Sequence, residues 1–497
     1  MAPLGLQRAR EGDRLRRVQH LRASDGGARH AAALAVATTL LLVCAWLCSL
    51  LPPSLAFDET FTTPQYDAQL QALLAGKWHL PKKQTDREGF VVNGRYYIYF
   101  GPAPVLLRLP FASAIERFPQ KAGFVSVFLA AALGLWAGLR VVEEVSGKRT
   151  GPFEVLAVSG LVLTIASRSA VYHEAIAWGG TCALLAALHA LRYLRLPTLP
   201  RLGAVAAFGA LAIFSREIWL VGVGALLAML AVAALVPRER AAPRGRLAAG
   251  LTAAKRWLDL PDVARAWAHL AVAVGTIATV LAIQASIHHA KFGGWGLAPP
   301  VEKHMSFQDP ARLARIGGRM FHLGNLPTGL YNYLSPTSAL FSARFPWVGP
   351  SPSVRVLPGA HLDGAEHFFG LPHIAGALLL LAGIGVCGVR AHPTVRPGLA
   401  VAAALGLGSA TVLCFAGLCG RYLYDFYPPL ALAGGAGIAV LRATDRKRLR
   451  AVVRTVAVYN LAAGLSMIFV VQRSYGDASR RSALRALGAR IDAVFLR

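Results

Sequence analysis

The sequence predicts an all-α polytopic membrane protein of about eleven transmembrane helices, with its N-terminus inside and its C-terminus outside. Three observations lead there. Hydrophobic residues fill 55% of the 497 positions and charged ones only 15%, below the usual share of about 25% in soluble domains. Apolar runs of roughly 16–22 residues recur, the length a bilayer-crossing helix needs, and none alternates with the period of two that a barrel strand shows. Arg and Lys concentrate in alternate gaps between the runs, as cytoplasmic loops require. That pattern also explains the net charge of +27 without nucleic acid, because no soluble module gathers the arginines. Mean hydropathy is +0.47.

Residues 1–30 form an Arg-rich tail (Arg8, Arg10, Arg14, Arg16, Arg17, Arg22, Arg29) held inside by its charge. The first apolar run, 31–51, has only a faint cleavage match in Ser54-Leu55-Ala56, so it reads as a signal anchor and opens a transmembrane domain over 31–471. A first outer loop follows at 57–121. In it Pro64 can start a helix, and Tyr66, Leu70, Leu73 and Leu74 recur at helical spacing, which predicts a helix lying along the membrane surface. Asn93-Gly94 between β-branched and aromatic runs predicts a two-residue hairpin. The further spans fall roughly at 122–142, 153–166, 175–191, 202–214, 218–236, 266–287, 374–389, 399–418, 426–441 and 455–471. The second long outer segment, 288–373, is rich in Gly, Pro, aromatics and His and predicts a partly ordered cap. The tail, 472–497, places Leu484, Leu487, Ile491, Val494 and Phe495 on one helical face, for the outer leaflet or for the cap. The cysteines Cys44, Cys48, Cys182, Cys387, Cys414 and Cys419 lie in or beside apolar runs and read as small buried hydrophobes. The Ala, Gly, Arg and Leu content suits a GC-rich bacterial genome, so the expected location is a bacterial plasma membrane.

Polar groups collect where spans meet the outer face. Asp58-Glu59 follows the first span; Arg168 to Glu174, with His173, forms one tight turn; Ser215-Arg216-Glu217 forms another; Gly420 to Pro428, with Arg421, Tyr422 and Asp425, is the fourth group. Any one arginine there can simply snorkel to headgroups, and the tyrosines Tyr422, Tyr424 and Tyr427 fit an aromatic belt. Together they describe a pocket of carboxylates and guanidinium forks at one depth. Arg suits phosphate, and an ionised carboxylate can accept a hydroxyl proton. The chemistry that needs both at a lipid boundary is sugar transfer from a polyprenyl-phosphate carrier to a hydroxyl arriving from water.

The acidic pair after span one, the first outer loop with its surface helix, and the late Arg421-Tyr422-x-x-Asp425-x-x-Pro428 segment resemble the GT-C superfamily of integral-membrane glycosyltransferases. Within it the chain is similar to the group of protein O-mannosyltransferases and the lipid A aminoarabinose transferase (family 39-like). The resemblance implies Asp58 as catalytic base with Glu59 beside it, and Arg168, Arg216 and Arg421 as contacts for the donor phosphate. Tyr66, Tyr97, His173, Glu174, Glu217, Tyr422 and Asp425 are expected to line the substrate pocket. The implied partners are a polyprenyl-phosphate-sugar donor, an extracytoplasmic glycan, lipid or protein acceptor, and membrane lipids. The chain departs from the family in having no extended soluble C-terminal domain.

No cofactor is assigned with certainty. His361-x-Asp363 and Glu366-His367 are loose pairs that leave a divalent metal as a lesser alternative. The competing reading is a transporter or flippase of lipid-linked envelope intermediates, which calls for charged or broken-helix features near mid-membrane. The spans offer only Ser, Thr, His189 and Gln284 there.

Overall fold

A computed structural model describes residues 27–45, 65–85, 88–117, 121–235, 253–254, 266–475 and 478–495. Asp58, Glu59, Cys48, most of the Arg-rich tail and most of the loop after residue 235 lie outside the described residues. The bundle consists of α1 (Gly27–Ala45), α4 (Lys121–Ser146), α5 (Pro152–Ala166), α6 (Val171–Arg195), α7 (Leu199–Ser215), α8 (Trp219–Leu235), α9 (Ala266–Phe292), α11 (Leu371–Gly388), α12 (Arg396–Val412), α13 (Tyr427–Ala443) and α14 (Lys447–Tyr475). The first loop supplies α2 (Gln65–Leu74), the hairpin β1 (Phe90–Val92) and β2 (Arg95–Tyr97), and α3 (Ala103–Arg108). The cap supplies α10 (Leu326–Leu334) and the antiparallel pair β3 (Ala339–Phe341) and β4 (Val348–Pro350). It also supplies β5 (Gly364–Ala365), which pairs in parallel with β6 (Gly417–Leu418) after α12. The C-terminal helix is α15 (Ala478–Phe495).

Among the described residues, eight helices are long and apolar enough to cross a membrane, and the chain is an all-α polytopic membrane protein. The three remaining bundle helices, α5, α7 and α8, have 15, 17 and 17 residues. At 1.5 Å per residue they reach only ~22–26 Å, short of a hydrocarbon core of about 30 Å. Helix α6 is central, with 89% of its apolar window buried, whereas α9 is peripheral at 17%.

Packing follows the small-residue logic of membrane helices, where apolar side chains gain little by leaving lipid and close contact gains more. Gly134 and Gly138 of α4 face the hydroxyls of Tyr424 and Tyr427, and an added Cβ would come within 2.1 Å of each oxygen. Those tyrosines are fully buried, so they belong to the core and not to an aromatic belt. α5 starts on Pro152 at its first position, and the Gly151 N–H donates to Glu154 Oε2 at 2.7 Å. Ion pairs Arg195–Glu144, Arg442–Glu154 and Arg140–Glu143 gather at one end of the bundle. The first loop and the cap gather at the other.

The hairpin forms with Phe90 opposite Tyr97, and Asn93 (φ 49°) with Gly94 (φ 72°) supplies the left-handed turn. α2 differs from a helix laid on a surface. Its Tyr66, Ala68 and Leu70 are buried against Ile98, Phe100, Val105 and Val171, so it is packed into the loop. α15 rests on the cap, where Asp492 Oδ1 accepts from the Phe345 N–H at 2.6 Å. Cys44, Cys182 and Cys419 are buried as expected, but Cys387 is exposed and Cys414 half-buried, because each sits on the outward side of its segment.

Candidate functional site

Four side chains from three elements stack at the loop-and-cap end. Tyr172 lies in the first turn of α6, Arg216 ends α7 in extended backbone, and Arg421 with Tyr422 lie in the 3-10 segment Gly420–Phe426. The Arg421 guanidinium is 4.5 Å from the Tyr172 ring centre and 5.1 Å from that of Tyr422, and Arg216 is 4.8 Å from Tyr422. The order is therefore Tyr172, Arg421, Tyr422, Arg216, with cations and rings alternating as the ring quadrupole favours.

Arg216 is committed. Its Nε donates to both Asp425 oxygens at 2.9 and 3.0 Å and its Nη2 lies 2.8 Å from Oδ2, while Asp425 is fully buried. Arg421 is less so. Its Nη1 donates to Glu366, but its buried Nε has no partner among the described residues. Guanidinium N–H groups are strong donors, and a buried one left unmatched is an exception that calls for a partner.

Glu88 completes this wall, with His304 Nε2 3.6 Å from its carboxylate. Burial pushes the Glu88 pKa up, but the neighbouring His304 and Tyr172 side chains and the charge of Arg421 outweigh burial and hold it below the usual carboxylate value. Tyr99 lies in the same neighbourhood, its ring 6.3 Å from that of His304, and burial raises its hydroxyl well above the ordinary range.

A second polar group ties the loop to the bundle. Arg108 of α3 donates from Nε and Nη2 to Glu174 of α6 and from Nη1 to Asp67 of α2, with Arg108 and Glu174 both buried. Burial raises the Asp67 pKa, and Arg108 opposes it. Tyr66 lies under the same guanidinium at 5.5 Å, and its hydroxyl has no partner among the described residues.

The predicted residues thus fall into groups. Arg216, Arg421, Tyr422 and Asp425 meet directly. His173 is buried beside them, with the charges of Arg168 and Arg421 acting on it and its Nδ1 without a partner among the described residues. Arg168 is half-buried at this end. Glu174 and Tyr66 belong to the Arg108 group. Tyr97 is buried in the hairpin against Phe292 and His79, away from the stack. Glu217 accepts from Gln284 Nε2 at 2.7 Å and lies 3.4 Å from His288 Nε2, alongside α9 and not in the stack. One turn further along α9, Lys291 Nζ donates to the carbonyls of Ile98 and Phe100 at 3.0 and 3.5 Å and clamps the hairpin's exit. The loose metal pairs are spent elsewhere: Arg312 holds Asp363 in a fork at 2.6 Å, Arg421 holds Glu366, and His361 stacks on His322. Among the described residues no group of three His, Cys, Asp or Glu gathers for a metal.

Sequence reasoning missed Glu88, His304, Tyr99 and Arg108. Tyr172 was within a recognised turn, Arg168 to Glu174, and its place between two arginine-bearing turns was the available signal. Nothing local marks Glu88, whose partners are 84 or more residues away in the chain.

No family model and no curated protein matches the chain. Among solved structures it is similar to the oligosaccharyltransferase of Archaeoglobus fulgidus. The apo form shows 15% identity and a TM-score of 0.43 over 94% of this chain and 60% of that one. The complex of oligosaccharyltransferase AglB from Archaeoglobus fulgidus with an inhibitory peptide and a dolichol-phosphate shows 15% identity and a TM-score of 0.44 over 94% and 59%. The complex with Zn and sulfate shows 14% identity and a TM-score of 0.43 over 93% and 57%. The chain spans about three fifths of the length of these proteins. A likeness at that identity and TM-score carries no functional inference.

Proposed function

We propose that this chain is a membrane glycosyltransferase of the GT-C kind, moving a sugar from a polyprenyl-phosphate donor to an extracytoplasmic acceptor. The observation that carries the reading is Arg421: a guanidinium held flat between Tyr172 and Tyr422, with one fork on Glu366 and its buried Nε unmatched among the described residues. Such a group suits a phosphate oxygen, and the neighbouring Arg168 adds positive charge at the same end, while Arg216 is balanced by Asp425. In this reading α5, α7 and α8 also cross the membrane, which thins locally around them, giving eleven spans, and the loop-and-cap end faces outward in a bacterial plasma membrane.

The transfer proceeds by attack of an acceptor hydroxyl on the anomeric carbon, with the prenyl phosphate leaving and the hydroxyl proton passing to a carboxylate. Asp58 is the proposed base, with Glu59 adjacent to it in sequence. Glu88, beside His304, is proposed to orient the acceptor or share in the proton transfer. Arg421 stabilises the developing charge on the phosphate.

The test uses purified protein in nanodiscs with labelled prenyl-phosphate sugars. Asp58→Asn should lower transfer by about 10²–10⁴ while donor binding persists. Absence of prenyl-phosphate binding above that of empty nanodiscs, or full transfer by both Asp58→Asn and Glu59→Gln, would overturn the reading.

A further inference from the structure

A separate cavity of about 360 Å³ lies in the cap, where α10 and the chain before α11 meet. Five Ser and Thr side chains, one amide and one guanidinium line it, together with the rings of Tyr331 and Phe368 and no carboxylate or lysine. Its frame is fixed in advance. Asn332 of α10 donates to the Arg355 carbonyl at 2.8 Å and accepts from the Arg355 N–H at 3.1 Å, and Thr328, one turn earlier, accepts from the Leu357 N–H at 3.0 Å. The segment bearing Ser353 and Arg355 is therefore fastened to the helix, and a ligand meets a wall that needs little ordering.

The functional groups on this wall have capacity left. Each hydroxyl offers one donor and two acceptor sites. Thr337 meets the Ser335 hydroxyl at 2.9 Å and Ser353 meets that of Ser351 at 3.1 Å, and both Thr337 and Ser353 are exposed at the rim. Arg355 is also exposed, rests 5.3 Å above the Tyr331 ring, and has no acidic partner among the described residues. Mixed donors and acceptors beside two aromatic faces suit a polyhydroxylated ring, whose C–H face lies on an aromatic and whose hydroxyls bridge to the wall. A prenyl chain would leave the hydroxyls unmatched, and a bare phosphate would meet a single cation. The volume sits at the small end of ligand pockets, enough for about one or two sugar rings.

The cavity shares a wall with the stack. The Phe368 ring is 5.1 Å from that of Tyr333, whose hydroxyl donates to the Cys419 carbonyl at 3.3 Å and accepts from its N–H at 3.1 Å. Cβ of Phe368 lies against Gly420, where an added Cβ would come within 2.8 Å. Arg421 follows, and it pairs with Glu366, two residues before Phe368. We infer that the cap cavity is a glycan subsite that holds the non-reacting part of the acceptor while its reacting hydroxyl reaches the Arg421 side of Phe368. The acceptor role rests on the transferase reading; the glycan site itself does not.

Two measurements separate these. Saturation-transfer NMR on the full chain in nanodiscs would be run with mannobiose, cellobiose, chitobiose and a glucuronic-acid disaccharide. At least one should receive saturation, and Thr337→Val, Ser353→Ala and Arg355→Gln, all at exposed positions, should weaken its binding tenfold or more in combination. In transfer assays the same variants should raise the acceptor KM by a similar factor without raising the donor KM. No saturation of any probe, or equal binding by the triple variant, overturns the glycan site. Binding lost in the variants of a protein that transfers no sugar keeps the site and sinks the transferase. Transfer with an unchanged acceptor KM in the triple variant overturns the acceptor role.

Discussion

Asp425→Asn removes one charge from the best-defined ion pair at the loop-and-cap end while keeping the side chain's shape. Asp425 is fully buried, and the Arg216 side chain retains 18% exposure. Three contacts of 2.8–3.0 Å join them. With Asn, Arg216 keeps neutral hydrogen bonds to one oxygen and the face of Tyr422, worth about 0.5–2 kcal/mol. Breaking a buried pair from one side costs about 3–5 kcal/mol, because the remaining ion has lost water without gaining a counter-charge. A chain of this length should show a shift per kcal/mol of about half that of a 150–250-residue domain, so the melting temperature should fall by ~3–10 °C. The assay is intrinsic-fluorescence unfolding of the purified protein in one detergent. Asp425→Asn/Arg216→Gln should recover much of the loss, since a neutral pair leaves no stranded charge. A fall of under about 1 °C for the single variant, or a double variant as unstable as the sum of both singles, would refute the account of this pair.

Glu88→Gln should reshape the acid limb of stability. The folded pKa of Glu88 lies below its ordinary value of 4.5, so its ionised form contributes stability that is present above that value and lost as pH falls through the lowered one. The variant should be less stable at neutral pH and converge with wild type in acid; parallel curves would count against it. Arg421→Ala should weaken prenyl-phosphate binding by roughly 10–100-fold, the equivalent of ~1.5–3 kcal/mol for one charge-assisted contact, and Arg421→Lys should recover only part, lacking the planar fork. Undiminished donor affinity in Arg421→Ala would move the phosphate site elsewhere. Arg108→Met strands Glu174 in a buried position, so amide exchange across Gln65–Leu74 should accelerate while α6 stays protected; unchanged exchange would show that the loop is held by its apolar contacts alone.

The bundle was legible because apolar length is a one-dimensional property. The runs became helices, although α14 begins eight residues before its expected start and α12 ends six residues before its expected end, and Asn93-Gly94 made its turn from local chemistry alone. Burial was harder to read. The Leu70 face of α2 has the spacing of a helix on a lipid surface, and the same spacing serves a helix packed on Ile98, Phe100 and Val105. Amphipathicity states that one face is covered and says nothing of what covers it. Tyr424 and Tyr427 show the same ambiguity. An aromatic near a span end fits an interfacial belt, and only the facing pair Gly134 and Gly138, far away in sequence, turns these two into core residues.

The site divides along a similar line. Arg216, Arg421 and Asp425 interrupt apolar sequence at span ends, where a charge is expensive, so their positions alone raised the question of a partner. Their pairing could not be read, because Arg216 has Glu217 beside it in sequence and yet chooses Asp425, while Glu217 turns to Gln284. Adjacent charges on a helix end point apart, so the nearest neighbour in sequence is a poor guide to an ion pair. Glu88 ends the polar stretch 82–88, where one more charge costs nothing in isolation and carries no signal, whereas Arg108 interrupts Val105-Leu106-Leu107 and Leu109-Pro110-Phe111 and was overlooked despite that signal. Glu88 becomes informative only once the loop folds back and sets it beside His304, and Arg108 finds its partner, Glu174, only in the folded chain. Charge in an apolar run is thus conspicuous before folding, and charge in a polar loop only after it. That difference explains why the arginine half of the stack was foreseeable and the carboxylate facing it was not.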